Sequence, residues 1–168
     1  MYFYRNVSDE FELTDKRKKI LQSLVIDSTS PGPLLHDIDT LLNRLVDKPL
    51  RLTATQRLSR RDLPDLNAGL HQPLNIDLKR PQQKSYPPLL GLYFLLRASG
   101  LTHVDESGKE NQLKLNDVVY DQWQNLNATE RYGHLLESWF LRGNQTILGE
   151  SGRRFDVVPD NFQHCAEF

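Results

Sequence analysis

The sequence predicts a mainly α-helical protein with a small β-hairpin, a winged-helix-like domain accompanied by N-terminal helices. Apolar residues recur at helical spacing in one segment after another. Two short alternating runs, residues 101–104 and 111–115, flank a polar stretch that contains Gly108, the pattern of a hairpin. The chain has 168 residues, 38% hydrophobic and 26% charged, enough to build a core without disulfide or metal staples.

Thr14 and Asp15 open the first helix. A threonine hydroxyl accepts from the free amides of a first turn, and an aspartate complements the positive end of the helix. Ile20, Leu21, Leu24 and Val25 give this helix an apolar face. Lys16, Arg17, Lys18 and Lys19 crowd its first turns and oppose the dipole, as expected of a solvated face or of a segment held by a partner. Residues 28–33, Ser-Thr-Ser-Pro-Gly-Pro, break the chain. Leu34, Leu35, Ile38, Leu41, Leu42 and Leu45 then form one stripe over residues 34–46, and Pro49 ends that helix.

Residues 50–55 read as a short extended piece. Ser59 is expected to cap a helix over 60–70 that buries Leu63, Leu66 and Leu70, with Pro64 in its first turn or two. Periodicity then fails until Pro87 and Pro88, which suit a helix start. Residues 89–99 are apolar almost all round and are expected to be buried, with Gly100 as C-terminal cap. Beyond the hairpin, Asn116 and Asp117 open a helix to about Gln124 with Val118, Val119, Tyr120 and Trp123 inside. Asn127 and Glu130 have capping-box spacing, and Tyr132, Leu135, Leu136, Trp139 and Phe140 pattern a last helix that Gly143 stops. The expected organisation is an N-terminal helical region (1–72), a linker or long loop (73–88), a winged-helix-like region (89–143) and a tail (144–168).

A single cysteine, Cys165, cannot form an internal disulfide. Residues 1–6 contain no apolar signal-peptide core, and the longest apolar run, residues 89–96, is too short to span a membrane. These features are expected of a cytoplasmic protein without membrane contact. The glycosylation patterns at Asn6, Asn127 and Asn144 are then chance matches.

No catalytic residue, cofactor or metal site follows from the motifs. The five histidines show neither HxxxH nor HExxH spacing, and one cysteine cannot make a CxxC pair. Glu130 and His134 share a helical face but lack further ligands, so a surface pair is expected. His164 beside Cys165 is adjacency in a tail, because a dyad needs side chains that converge in space. Residues 149–154 carry two glycines but not the lysine of a P-loop. Tyr93, Phe94, Trp123 and Trp139 fall on helical faces and are expected in the core.

The formal net charge of −1 conceals segregation. From Arg51 to Arg97 eight basic residues face three acidic ones, a local +5, while beyond Arg97 six basic face eleven acidic, a local −5. If DNA is the ligand, Arg57, Arg60, Arg61 and Lys84 are the expected phosphate contacts. The hairpin turn argues the other way: Asp105, Glu106 and Glu110 outnumber Lys109 and would repel a phosphate backbone. The expected function is therefore a non-enzymatic binding module for protein interaction, self-association or a scaffold role, and a DNA-binding winged-helix protein, regulatory or associated with mobile elements, is the alternative.

Residues 50–143 contain a segment of the type LTATQRLSRRDL, a leucine-rich helix ending in Gly100-Leu101, a hairpin, and then Trp123, Glu130-Arg131, Leu135-Leu136 and Trp139. In this order the block resembles a region of uncharacterised bacterial open-reading-frame proteins of plasmid and mobile-element type. The resemblance implies a winged-helix-like region and brings no activity and no catalytic residue with it.

Overall fold

The computed structural model describes residues 14–143, apart from 24, 28, 29 and 31, and residue 147. Helix α1 spans Asp15–Ser23 and α2 Leu34–Asp47. Strand β1 (Leu50–Arg51), α3 (Leu63–Ala68) and a 3-10 turn (Gln83–Ser85) lead to α4 (Pro87–Ala98). The hairpin β2 (Thr102–Asp105) and β3 (Gln112–Leu115) follows, then α5 (Asp117–Gln124) and α6 (Ala128–Arg142). The protein is mainly helical with a small antiparallel sheet. No described helix is long and apolar enough to cross a membrane.

The breaks between elements follow from proline and glycine. Pro49 disfavours helical backbone at Lys48, which is extended at φ −164° and ψ 150°, and the chain passes directly into β1. Pro64 shortens α3. A helix begun at Arg60 would place the Pro64 ring against the Arg60 carbonyl, with no amide to bond it. The helix instead starts at Leu63 with Asp62 at its N-cap, so Pro64 lies in the first turn. Ser59, expected as the cap, belongs to the preceding turn, where its carbonyl accepts from the Asp62 amide at 3.0 Å. At the end of α4, Gly100 takes φ +76°, the left-handed geometry that lets the chain turn into β2.

The extended piece and the hairpin form one sheet in the order β1-β3-β2, all antiparallel. Leu50 stands opposite Leu113, and Leu113 opposite Val104. From α2 to β3 the order along the chain is thus helix, strand, helix, helix and two strands. Among the described residues one hydrophobic core runs from Leu35 on α2 to Leu135 on α6 and includes residues on both sides of the 73–88 segment. The loop after α3 is pinned by Asn67, whose side chain donates to the Leu74 carbonyl (2.9 Å) and accepts from the Leu74 amide (3.0 Å).

Helices α5 and α6 are less buried than their patterns imply. Trp123 is 2% exposed, but Val118 projects outward, and Val119 and Tyr120 are only partly covered. On α6, Leu135 and Ser138 face the core, while Leu136, Trp139 and Phe140 are exposed. Successive residues of a helix turn by about 100°. The apolar residues of α6 therefore occupy more of its circumference than one contact with α4 and α2 can cover.

Candidate interaction surface

The turn after β1 is built by Thr53. Its carbonyl accepts from the Gln56 amide (2.9 Å), and its hydroxyl oxygen accepts from the Arg57 amide (3.1 Å). Gln56 stands at φ +54°, uncommon for a residue with a side chain. Three side chains from two elements meet on it. The Tyr93 hydroxyl of α4 donates to its carbonyl, both terminal nitrogens of Arg97 reach its Oε1 at 3.4 Å, and its Nε2 donates to Glu106 Oε1 of the hairpin turn at 2.8 Å. Arg97 also donates to the Tyr93 hydroxyl oxygen at 2.9 Å. Burial pushes the Tyr93 phenol above its ordinary titration range, and the adjacent Arg97 charge opposes that shift.

This network engages the one basic residue of α4. The outer side of the helix is formed by the exposed Pro87 and Gly91 and the half-buried Pro88, Leu90, Phe94 and Leu95, none of which has a hydrogen-bonding side chain. A helix that reads base edges needs such groups on its outer face.

The expected phosphate contacts lie elsewhere. Arg57 is half-buried at the end of the Gln56 turn, and Arg60 and Arg61 are exposed just before α3. Lys84 is exposed on the 3-10 turn, which docks on this stretch because Gln83 Oε1 accepts from the buried Leu58 amide at 2.8 Å. The structure thus gathers all four on the loops before α3 and α4, with none on α4. In the hairpin turn, Asp105 is held well below the usual carboxylate range by Lys114 (2.6 Å), the Ser107 hydroxyl (2.6 Å) and the Ser107 amide (2.9 Å).

Helix α6 supplies an exposed apolar surface. Its start is fixed by a reciprocal cap in which Asn127 Oδ1 accepts from the Glu130 amide (3.0 Å) and Glu130 Oε2 from the Asn127 amide (2.8 Å). Its inner side is anchored by Arg131, which donates to the Trp123 carbonyl (3.1 Å) and lies over the Trp123 ring. His134 turns inward, with Nε2 3.3 Å from the Ser99 carbonyl and its ring against Trp123. Glu130 and His134 therefore do not form the expected surface pair, since one caps the helix and the other packs inward. Outward stand Leu136 (43% exposed), Phe140 (46%) and Leu141 (74%), with the Trp139 and Phe140 rings 5.2 Å apart.

Among the described residues, no group of three or more His, Cys, Asp or Glu side chains could hold a metal ion. His164, Cys165 and the glycine-bearing stretch 149–154 lie outside the described residues. No sequence signal marks the Gln56 network, because its other members lie 37 to 50 residues from Gln56 and reach it only through the fold. The outward side of α6 was apolar in the sequence, but apolar spacing alone does not tell which part of a helix is covered. No family model, curated protein or solved structure matches this chain.

Proposed function

We propose that this chain is a cytoplasmic, non-enzymatic winged-helix-type module that binds protein rather than DNA. Helix α2, strand β1, helices α3 and α4 and the β2–β3 hairpin follow the order of such a module, with α4 in the place of the helix that enters the major groove. The observation that carries the reading is the chemistry of α4. Its only cation is engaged by Gln56 and Tyr93, and its outer side is apolar. Beyond it, α6 extends the apolar surface through Leu136, Phe140 and Leu141, of the kind that marks a protein contact. The lone cysteine supports a reducing compartment. The likeness of residues 50–143 to plasmid and mobile-element proteins names no ligand, so the choice between ligands rests on α4.

A second reading, DNA binding through the loops, is favoured by the gathering of Arg57, Arg60, Arg61 and Lys84. Fluorescence anisotropy with a labelled generic duplex at several salt concentrations separates the two. The protein-binding reading expects no micromolar complex at low salt. A micromolar complex that weakens steeply with salt, and loses part of that slope in Arg60→Ala/Arg61→Ala, would replace it with the second reading.

A further inference from the structure

A carboxylate and two imidazoles meet between α2 and the loop after α3. Asp37 lies in the first turn of α2 and is buried. Its Oδ1 accepts from the backbone amide of His71 at 2.7 Å and lies 3.2 Å from Nδ1 of His36. The two imidazole rings stand edge to face with their centroids 5.6 Å apart. His36 is half-buried and His71 is exposed, so both rings border solvent.

The carboxylate decides what His36 can offer. A carboxylate accepts and does not donate, so Nδ1 carries the ring proton and the lone pair of the neutral imidazole is at Nε2. A metal-ligating histidine is held in this way, its second nitrogen donating to a carboxylate that orients the ring and raises its basicity. Asp37 also holds the backbone of His71, so one buried group positions both histidines. With zinc–nitrogen bonds of about 2.0–2.1 Å, two imidazoles on one ion have centroids about 5–6 Å apart. The spacing of His36 and His71 falls in that range. Zinc-class ions take imidazole readily, whereas magnesium and calcium take oxygen ligands.

We propose that His36 Nε2 and a ring nitrogen of His71 bind a divalent ion of the zinc class, with Asp37 as the orienting carboxylate and water completing the coordination. Rotation about the side-chain bonds of His71 brings its nitrogen to the ion while its backbone stays tied to Asp37. The ion fastens α2 to the loop after α3, which Asn67 already holds at Leu74. With two protein ligands rather than the four of a structural site, the ion is exchangeable, and its occupancy follows the zinc concentration.

Calorimetric titration of the full chain with zinc chloride at neutral pH, in a buffer that does not chelate the metal, tests it. Wild type binds zinc saturably with a Kd of about 100 μM or tighter. Its Tm rises with zinc concentration, and magnesium chloride has neither effect. His36→Ala and His71→Ala each weaken zinc binding by about tenfold or more and remove the rise in Tm. Asp37→Asn keeps an oxygen that accepts both bonds, and it weakens binding by about 10–100-fold because the carboxylate is gone. Cys165→Ser binds zinc as wild type does. Unchanged circular dichroism of the metal-free variants keeps folding out of the comparison. No binding up to about 1 mM zinc, binding untouched by either histidine substitution, or binding lost in Cys165→Ser would each overturn the site. Wild-type affinity in Asp37→Asn would overturn the orienting role of the carboxylate.

Discussion

The Tyr93 hydroxyl donates a hydrogen bond to the backbone carbonyl of Gln56, a residue held at φ +54° in the turn after β1. This contact fixes the turn against α4 and places Gln56 Oε1 where Arg97 reaches it. Tyr93→Phe leaves that carbonyl and Arg97 short of a partner and is expected to destabilise the fold by about 1–3 kcal/mol, read from urea unfolding. The phenol also gives a pH signature. Its folded pKa is raised by burial, so folding favours the neutral form. The contribution is fully present below the unfolded value of about 10 and is lost as pH rises through the folded value. Phenolate absorbance should show one tyrosine titrating late, and Tyr93→Phe should remove it.

The hairpin turn has the opposite dependence. Asp105 is held below its usual range by Lys114 and Ser107, so its ionised form is favoured by folding. Its contribution is present above the unfolded value of about 3.9 and is lost as pH falls through the lower folded value. Asp105→Asn is therefore expected to be less stable than wild type at neutral pH. The gap should close in acid below the ordinary aspartate range, as followed by thermal melting across pH. A gap independent of pH would contradict the ionic origin.

The two tryptophans should report different surroundings. Trp123 is 2% exposed and Trp139 is 38% exposed. Acrylamide is expected to quench a readily accessible fraction in wild type, and Trp139→Phe should leave only blue-shifted, poorly quenched emission. Equal quenching of both single-tryptophan variants would contradict the outward placement of the α6 face.

Gly91 within α4 and Gly100 just beyond its C-terminus should respond with opposite signs. Gly91 is exposed in mid-helix, and among the described residues nothing beyond its own helix backbone and chain neighbours lies within 4 Å of an added Cβ, so Gly91→Ala is expected to stabilise by about 0.5–1 kcal/mol. Gly100 stands at φ +76°, and Gly100→Ala is expected to destabilise by about 1–2 kcal/mol. Denaturant midpoints of the two variants check both.

Much of the fold was legible because local chemistry dictated it. The stripe Leu35, Ile38, Leu41, Leu42 and Leu45 is buried as its spacing requires, and the Asn127–Glu130 cap forms as written. The start of α3 was misread because Ser59 is a good cap, but the Pro64 ring decides where a helix can begin. The pairing of β1 with β3 was not legible, since Leu50 and Leu113 are joined only by the fold. The same holds for Arg97, one more cation in the sequence but engaged by Gln56 and Tyr93 in the structure. That engagement, together with the exposed side of α6, is what the proposed protein-binding reading adds to the acidic hairpin turn that already favoured it in the sequence.

The most direct test of this account is a heteronuclear NMR titration of the chain with a generic DNA duplex at low salt. The account expects the amides of α4 to stay in place, with any weak shifts confined to the loops of Arg57, Arg60, Arg61 and Lys84. Saturable shifts concentrated on residues 90–97 would contradict it, because α4 would then be entering the groove.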